Sequence, residues 1–240
     1  MNAFSRRLVL MALAFFALFC VVRAPLSLVT LLLPETVQLK NVEGSLWSGR
    51  ASAVGVGGMI VQQGVEWSFR PQALLSGTLM WSINGRFGGK TSRMNVALRA
   101  TGAALSEVSV FLPLEPFAAL HPQLKTAQLS ALLHASASRL SANAPMKVAV
   151  DVDRVFSARV QQSGQFGSYR IEVDLAADGK GRWMLSSSPV LLAAVGEGQL
   201  DVNRQLVNGR LVLTPSAPIP GLSPLLSQLP RAGDGYLISL

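Results

Sequence analysis

The sequence predicts a mainly β protein: an N-terminal transmembrane helix followed by an exported body built as an antiparallel, twisted β-sheet, either an open groove or sandwich-like. Three observations predict it. Leu8 to Val22 is a run without a polar or charged residue, with Arg6 and Arg7 before it and Arg23 after it. Beyond Pro34, apolar and polar residues alternate at a period of two, the spacing of half-buried strands. The chain carries 21 glycines, and several follow Asn or Asp as in tight hairpin turns.

Residues 1–7 form a cytoplasmic N-terminus and residues 8–22 the transmembrane anchor. At the helical rise, 15 residues cover about 22 Å of a hydrocarbon core roughly 30 Å thick. Phe4 and snorkelling arginines extend that reach. A removable signal peptide is the competing reading, and the residues at the cut sites disfavour it. Val22-Arg23-Ala24 offers a small residue only at its end, and Pro25 would begin the mature chain. Cys20 follows Phe19, where a lipoprotein signal needs a small residue. The amine, Arg6 and Arg7 outweigh Arg23, so the positive-inside rule keeps the N-terminus in the cytoplasm and exports the rest. Pro25 to Leu33 reads as a short interfacial helix over residues 25–33, stopped by Pro34. Residues 34–240 form the β body, large enough for one all-β domain or for two sheet modules meeting near 111–134.

Cys20 is the single cysteine and lies in the membrane run, so the body is held by packing and strand pairing alone. The net charge is +8, yet only 14% of residues are charged. The arginines at 50, 70, 86, 99, 139, 154, 170 and 210 stand singly, without the clustered cations and interleaved aromatics of a nucleic-acid surface. A basic body beside an anionic leaflet, or facing acidic partners, accounts for the balance.

Strands are predicted where Leu79, Trp81 and Ile83 alternate with Met80, Ser82 and Asn84, and where Met94, Val96 and Leu98 alternate with Asn95, Ala97 and Arg99. The same pattern recurs at Val148-Val150-Val152, Ile171-Val173-Leu175, Leu200-Val202 and Leu211-Leu213. Asn84-Gly85, Asp178-Gly179, Asn208-Gly209 and Asp234-Gly235 read as hairpin turns, giving an antiparallel meander. A Gly-x-Leu start recurs at Gly44, Gly77, Gly198 and Gly209, too irregularly spaced for a solenoid. Leu114 to Leu133 breaks the pattern, with Phe117 and Leu120 lining a short helix or turn. Between Pro215 and Pro230, Leu222, Leu225, Leu226 and Leu229 fall at helical spacing, a short amphipathic helix before a final strand from Tyr236 to Leu240.

No pattern of catalytic residues emerges. His121 and His134 lack a carboxylate at metal-ligand spacing and read as ordinary surface or loop histidines. Asp151 with Asp153 and Glu172 with Asp174 read as alternate positions on the wet face of strands. Gly55-Val56-Gly57-Gly58 and Gly164-Gln165-Phe166-Gly167 lack the strand-to-helix setting of a phosphate loop. The chain reads as a non-enzyme that needs no cofactor or metal.

The informative motifs lie between residues 42 and 82. Gly44-Ser45-Leu46-Trp47-Ser48-Gly49-Arg50 is followed by Trp67-Ser68-Phe69-Arg70-Pro71. Trp47 and Trp67 on neighbouring strands would bury large apolar area on one face, with Gly44 and Gly49 bracketing a short strand. Arg70-Pro71 ends a strand, since proline removes the next ladder donor. The motif is either a core signature or, through Arg50 and Arg70, a contact for an acidic patch on a partner.

Together with the short anchor, this order resembles protein N of the type II (general) secretion pathway, a bitopic inner-membrane family of Gram-negative bacteria. The resemblance implies a non-enzymatic accessory subunit in the inner membrane, with its N-terminus in the cytoplasm and its body in the periplasm. It would work with other inner-membrane and periplasmic secretion subunits, by strand addition at exposed edges. A second expectation comes from composition, half of it hydrophobic: a membrane-tethered β-groove that binds or transfers phospholipid, similar to AsmA-like proteins.

Overall fold

A computed structural model describes residues 36–118, 128–142, 144–157, 166–189, 191–204, 206–217, 219 and 226–239. The predicted anchor at 8–22 and interfacial helix at 25–33 lie outside the described residues. Among the described residues no helix is long and apolar enough to cross a membrane.

The body is one antiparallel sheet of 14 strands, and no second layer of sheet makes it a sandwich among the described residues. Its strands are β1 (Val37–Gly44), β2 (Ser48–Val56), β3 (Met59–Phe69), β4 (Leu79–Phe87), β5 (Lys90–Arg99) and β6 (Gly102–Pro113). They continue with β7 (Leu129–Ser141), β8 (Met146–Ser157), β9 (Gly167–Leu175), β10 (Lys180–Pro189), β11 (Leu192–Asp201) and β12 (Leu206–Pro215). The short β13 (Arg231–Ala232) and β14 (Gly235–Ser239) close the chain. Each strand pairs with the next in sequence, except that β14 lies between β12 and β13. Pro71–Ser76 forms a 3₁₀ turn and Glu115–Ala118 a single helical turn. β6 and β7 pair from Ala104↔Ser141 to Pro113↔Leu132, so the sheet runs on without a break at this point.

Register sorts the side chains into two faces, because directly paired residues share a face. One row runs Val110, Ala135, Val150, Ile171, Leu185, Gly196, Leu211, Ile238 across β6 to β14. The opposite face carries Lys147, Asp174, Arg182, Gln199 and Asn208 in one row.

Bulges keep the apolar face in phase. Between Ser106 and Ser109, β6 spends one residue more than β5, at Glu107, whose φ is +52. That shift puts Val108, Val110 and Leu112 on the face already taken by Leu105. An extra residue near Arg154, φ +51, likewise lets Val152 and Val155 share the core.

Two predicted turns are strands instead. Asn84-Gly85 lies inside β4 and Asn208-Gly209 inside β12. Gly85 is required by its neighbour rather than by a turn, since a Cβ there would stand 2.6 Å from Gln62 Oε1. The Gln62 amide is held in place at its other atom: its Nε2 donates to the Phe111 carbonyl of β6, while Ser92 Oγ accepts the Phe111 N–H at 2.9 Å. Through these bonds Gln62 of β3 reaches β6, a strand that is not its neighbour in the sheet. Asp178-Gly179 does reverse the chain, whereas the turn predicted at Asp234-Gly235 falls one residue earlier, at Gly233-Asp234, with Gly235 already in β14.

The densest packing sits over β7 to β9. Val152, Val155, Phe166 and Ile219 are buried together, with Leu133, Val150, Tyr169 and Leu192 against them. Ile219 and the buried Leu226 belong to the proline-rich C-terminal stretch. Leu222 and Leu225 of the predicted amphipathic helix lie outside the described residues.

Candidate functional site

The sequence motif folds into one end of the sheet. Gly44 and Gly49 are register partners and bracket a turn, not a strand. Gly44 has φ +107, and a Cβ there would stand 2.4 Å from the Ser48 carbonyl, so only glycine fits. Ser45 ties the turn: its Oγ accepts the N–H groups of Trp47 at 3.2 Å and Ser48 at 3.3 Å.

The two tryptophans do not meet as the strand reading predicts. Trp47 sits in the turn and stacks on Trp81, 6.1 Å between centroids, with Phe69 edge-on at 4.7 Å. Trp81 Nε1 donates to the Leu46 carbonyl at 3.0 Å, so the cluster also clamps the turn. Trp67 instead lies across Gly49, where a Cβ would come within 2.3 Å of Cζ2, and donates Nε1–H to the Ser45 carbonyl at 2.9 Å.

A second tryptophan repeats the device on the other side of the sheet. Trp183 of β10 lies in register with Gly198 of β11 and Gly209 of β12, as Trp67 of β3 does with Gly49 and Gly44. A Cβ at Gly209 would stand 2.5 Å from Trp183 Cζ2, and Trp183 Nε1 donates to the Asn208 carbonyl at 3.2 Å. The Gly-x-Leu starts at 198 and 209 thus mark backbone covered by an indole. Trp183 itself was missed by sequence reasoning; the glycine recurrence was its signal.

Arg50 and Arg70 engage different partners. Arg50 Nη2 meets Glu43 Oε2 at 2.6 Å on the exposed surface, and that hydrogen bond holds the guanidinium more firmly protonated than usual. Arg70 lies beyond β3 and donates Nε–H to Ser82 Oγ at 2.6 Å. Pro71 then starts the 3₁₀ turn.

On the polar face, Ser109 Oγ lies 3.0 Å from His134 Nε2 and His134 Nδ1 lies 3.6 Å from Asp151 Oδ2. The order resembles a hydrolase triad, but His134 is stacked under Phe111 at 4.3 Å and Asp151 is shared with Arg170 at 3.2 Å. Ser109, His134 and Asp151 stand on three adjacent paired strands, β6, β7 and β8. The ladder ties four strands together. Hydrogen bonding to Glu172 holds the Arg170 guanidinium more firmly protonated than usual. His121 lies outside the described residues. Among the described residues no group of three or more His, Cys, Asp or Glu side chains could hold a metal ion.

The family model for type II secretion system (T2SS) protein N matches residues 35–238, nearly the whole body. The chain belongs to the type II secretion system protein N family. Its match spans both tryptophan ends of the sheet, well beyond the motif at 44–71. No curated protein and no solved structure matches the chain. As a T2SS protein N, the chain is a component of a secretion machine.

Proposed function

We propose that the chain is a non-enzymatic accessory subunit of the type II secretion system, anchored in the inner membrane by residues 8–22 with its sheet in the periplasm. It acts by protein contacts with other inner-membrane and periplasmic subunits. Family membership supports the setting. The observation that carries the mode of action is the apolar face. From β6 to β14 it presents mostly apolar residues in rows interrupted at Gly196 and Ser187, and most of them are only half-buried. Apolar surface on this scale is stabilised by a covering partner.

The test is crosslinking in cells from a photoreactive residue placed at Ile171 or Leu211. Crosslinks to secretion subunits support the reading, and crosslinks to phospholipid alone reject it. Arg50 and Arg70 supply a second contact, facing acidic side chains of a neighbouring subunit. Loss of secretion by a folded Arg50→Glu, Arg70→Glu variant would support that contact, and normal secretion would sink it.

One observation favours a lipid-binding groove as the second reading. Along β8 to β10 the apolar rows hold Val148, Val173 and Trp183, and Val150, Ile171 and Leu185, without a charged group to satisfy. Acyl chains require no hydrogen bonds and would fit such a surface.

A further inference from the structure

The connection between β3 and β4 is built to hold two leucines in solvent. Leu75 is 94% exposed and Leu74 51% exposed at the crest of the 3₁₀ turn. The turn beneath them is fully tied. Gly77 N–H donates to the Leu74 carbonyl at 2.9 Å, Thr78 N–H to the Ala73 carbonyl at 3.1 Å, and Ser76 Oγ to the same carbonyl at 2.8 Å. Thr78 is fully buried and its Oγ1 accepts Arg99 Nε–H at 2.9 Å. Gly77 has φ +65 with open space around it, so backbone conformation alone demands glycine there. A fold that orders this turn to expose apolar side chains has a use for them.

We propose that this tip engages an anionic lipid surface, Leu74 and Leu75 entering the headgroup boundary and Arg99 meeting lipid phosphates. Charge selects the occupant. Arg99 lies at this end of the sheet, where Leu79 pairs with Leu98, and from Trp67 to Ser106 the chain carries no Asp or Glu to oppose an anionic surface. Size selects it as well. A stable protein interface buries about 800 Å² on each partner, more than two leucines supply. A bilayer demands no matching shape, takes apolar side chains at its boundary, and adds attraction for each cation. Leu79 and Leu98, directly paired at the same end of the sheet and both exposed, continue the apolar surface behind the tip.

The inference rests on the reading that the chain is membrane-anchored. The full chain, with Cys20→Ala and Leu75→Cys, is labelled with an environment-sensitive fluorophore and reconstituted into vesicles. One set is phosphatidylcholine and the other contains about one third phosphatidylglycerol. A Lys90→Cys label serves as the control at the opposite end of β5. The expected result is a blue shift and several-fold stronger quenching by nitroxide lipids at position 75 in the anionic vesicles, with position 90 unchanged. Flotation with the vesicles but no quenching at 75 overturns the inference alone. Failure to float overturns the anchored reading and the inference with it. Protection of the label only when secretion subunits are added assigns the tip to a protein and overturns the lipid proposal.

Discussion

Trp67 lies flat over Gly49, so closely that a single methyl at Gly49 would stand 2.3 Å from the indole and 2.5 Å from the Glu43 carbonyl. One obstacle is backbone and the other is a ring pinned by its bond to Ser45. Gly49→Ala should therefore cost about 2 kcal/mol or more by overpacking. Thermal unfolding followed by circular dichroism checks it, with Gly58→Ala as comparison. Nothing lies within 4 Å of a Cβ at Gly58, so only its φ of +84 is strained, at about 1 kcal/mol.

Trp183 should couple energetically to Gly209. Gly209→Ala alone clashes with the ring and with the Glu197 carbonyl at 2.5 Å. In a Trp183→Leu background part of that clash disappears, so the two costs should sum to about 1 kcal/mol more than the double variant shows. Simple additivity in the double-mutant cycle would refute the tiling of the indole over both glycines.

Arg50→Ala should leave stability nearly unchanged, since both it and Glu43 are exposed. Urea unfolding measures this. A near-neutral result is what makes Arg50 a usable position for testing partner contact by charge reversal.

Much of the fold was legible because alternation survives in short windows: Trp81 and Ile83 of β4, Val148 to Val152 of β8 and Ile171 to Leu175 of β9 all sit where period two places them. Asn84-Gly85 and Asn208-Gly209 misled because a glycine can serve a neighbour's bulk as readily as a turn. Gln62 and Trp183 lie 23 and 26 residues from the glycines they cover, and no local pattern records such a pairing. The bulges at Glu107 and Arg154 were invisible for a related reason: they reset the period, and each half reads as a separate strand. At the candidate site, the residues at 44–49 and 67–71 were legible as a motif, but which indole meets which strand depends on register.

Tyr169 gives the stability a dependence on high pH. Burial pushes its hydroxyl up to about 12, and it donates to the Leu192 carbonyl at 2.8 Å. The raised value belongs to the folded state, so the unfolded chain loses this proton first. The contribution is full below about pH 10 and is lost as pH rises towards 12. The ring is only half-buried, so solvent screening reduces the loss to about 1 kcal/mol. Unfolding of the native chain across this range should steepen relative to Tyr169→Phe, and parallel curves would contradict the assignment.

The most direct test of the account is mass spectrometry of the full chain purified gently from its membranes, scoring bound lipid and co-purifying proteins together. An accessory secretion subunit comes out with other inner-membrane secretion subunits and without stoichiometric phospholipid. Abundant phospholipid in the absence of those subunits would contradict the account and make the apolar face a lipid groove.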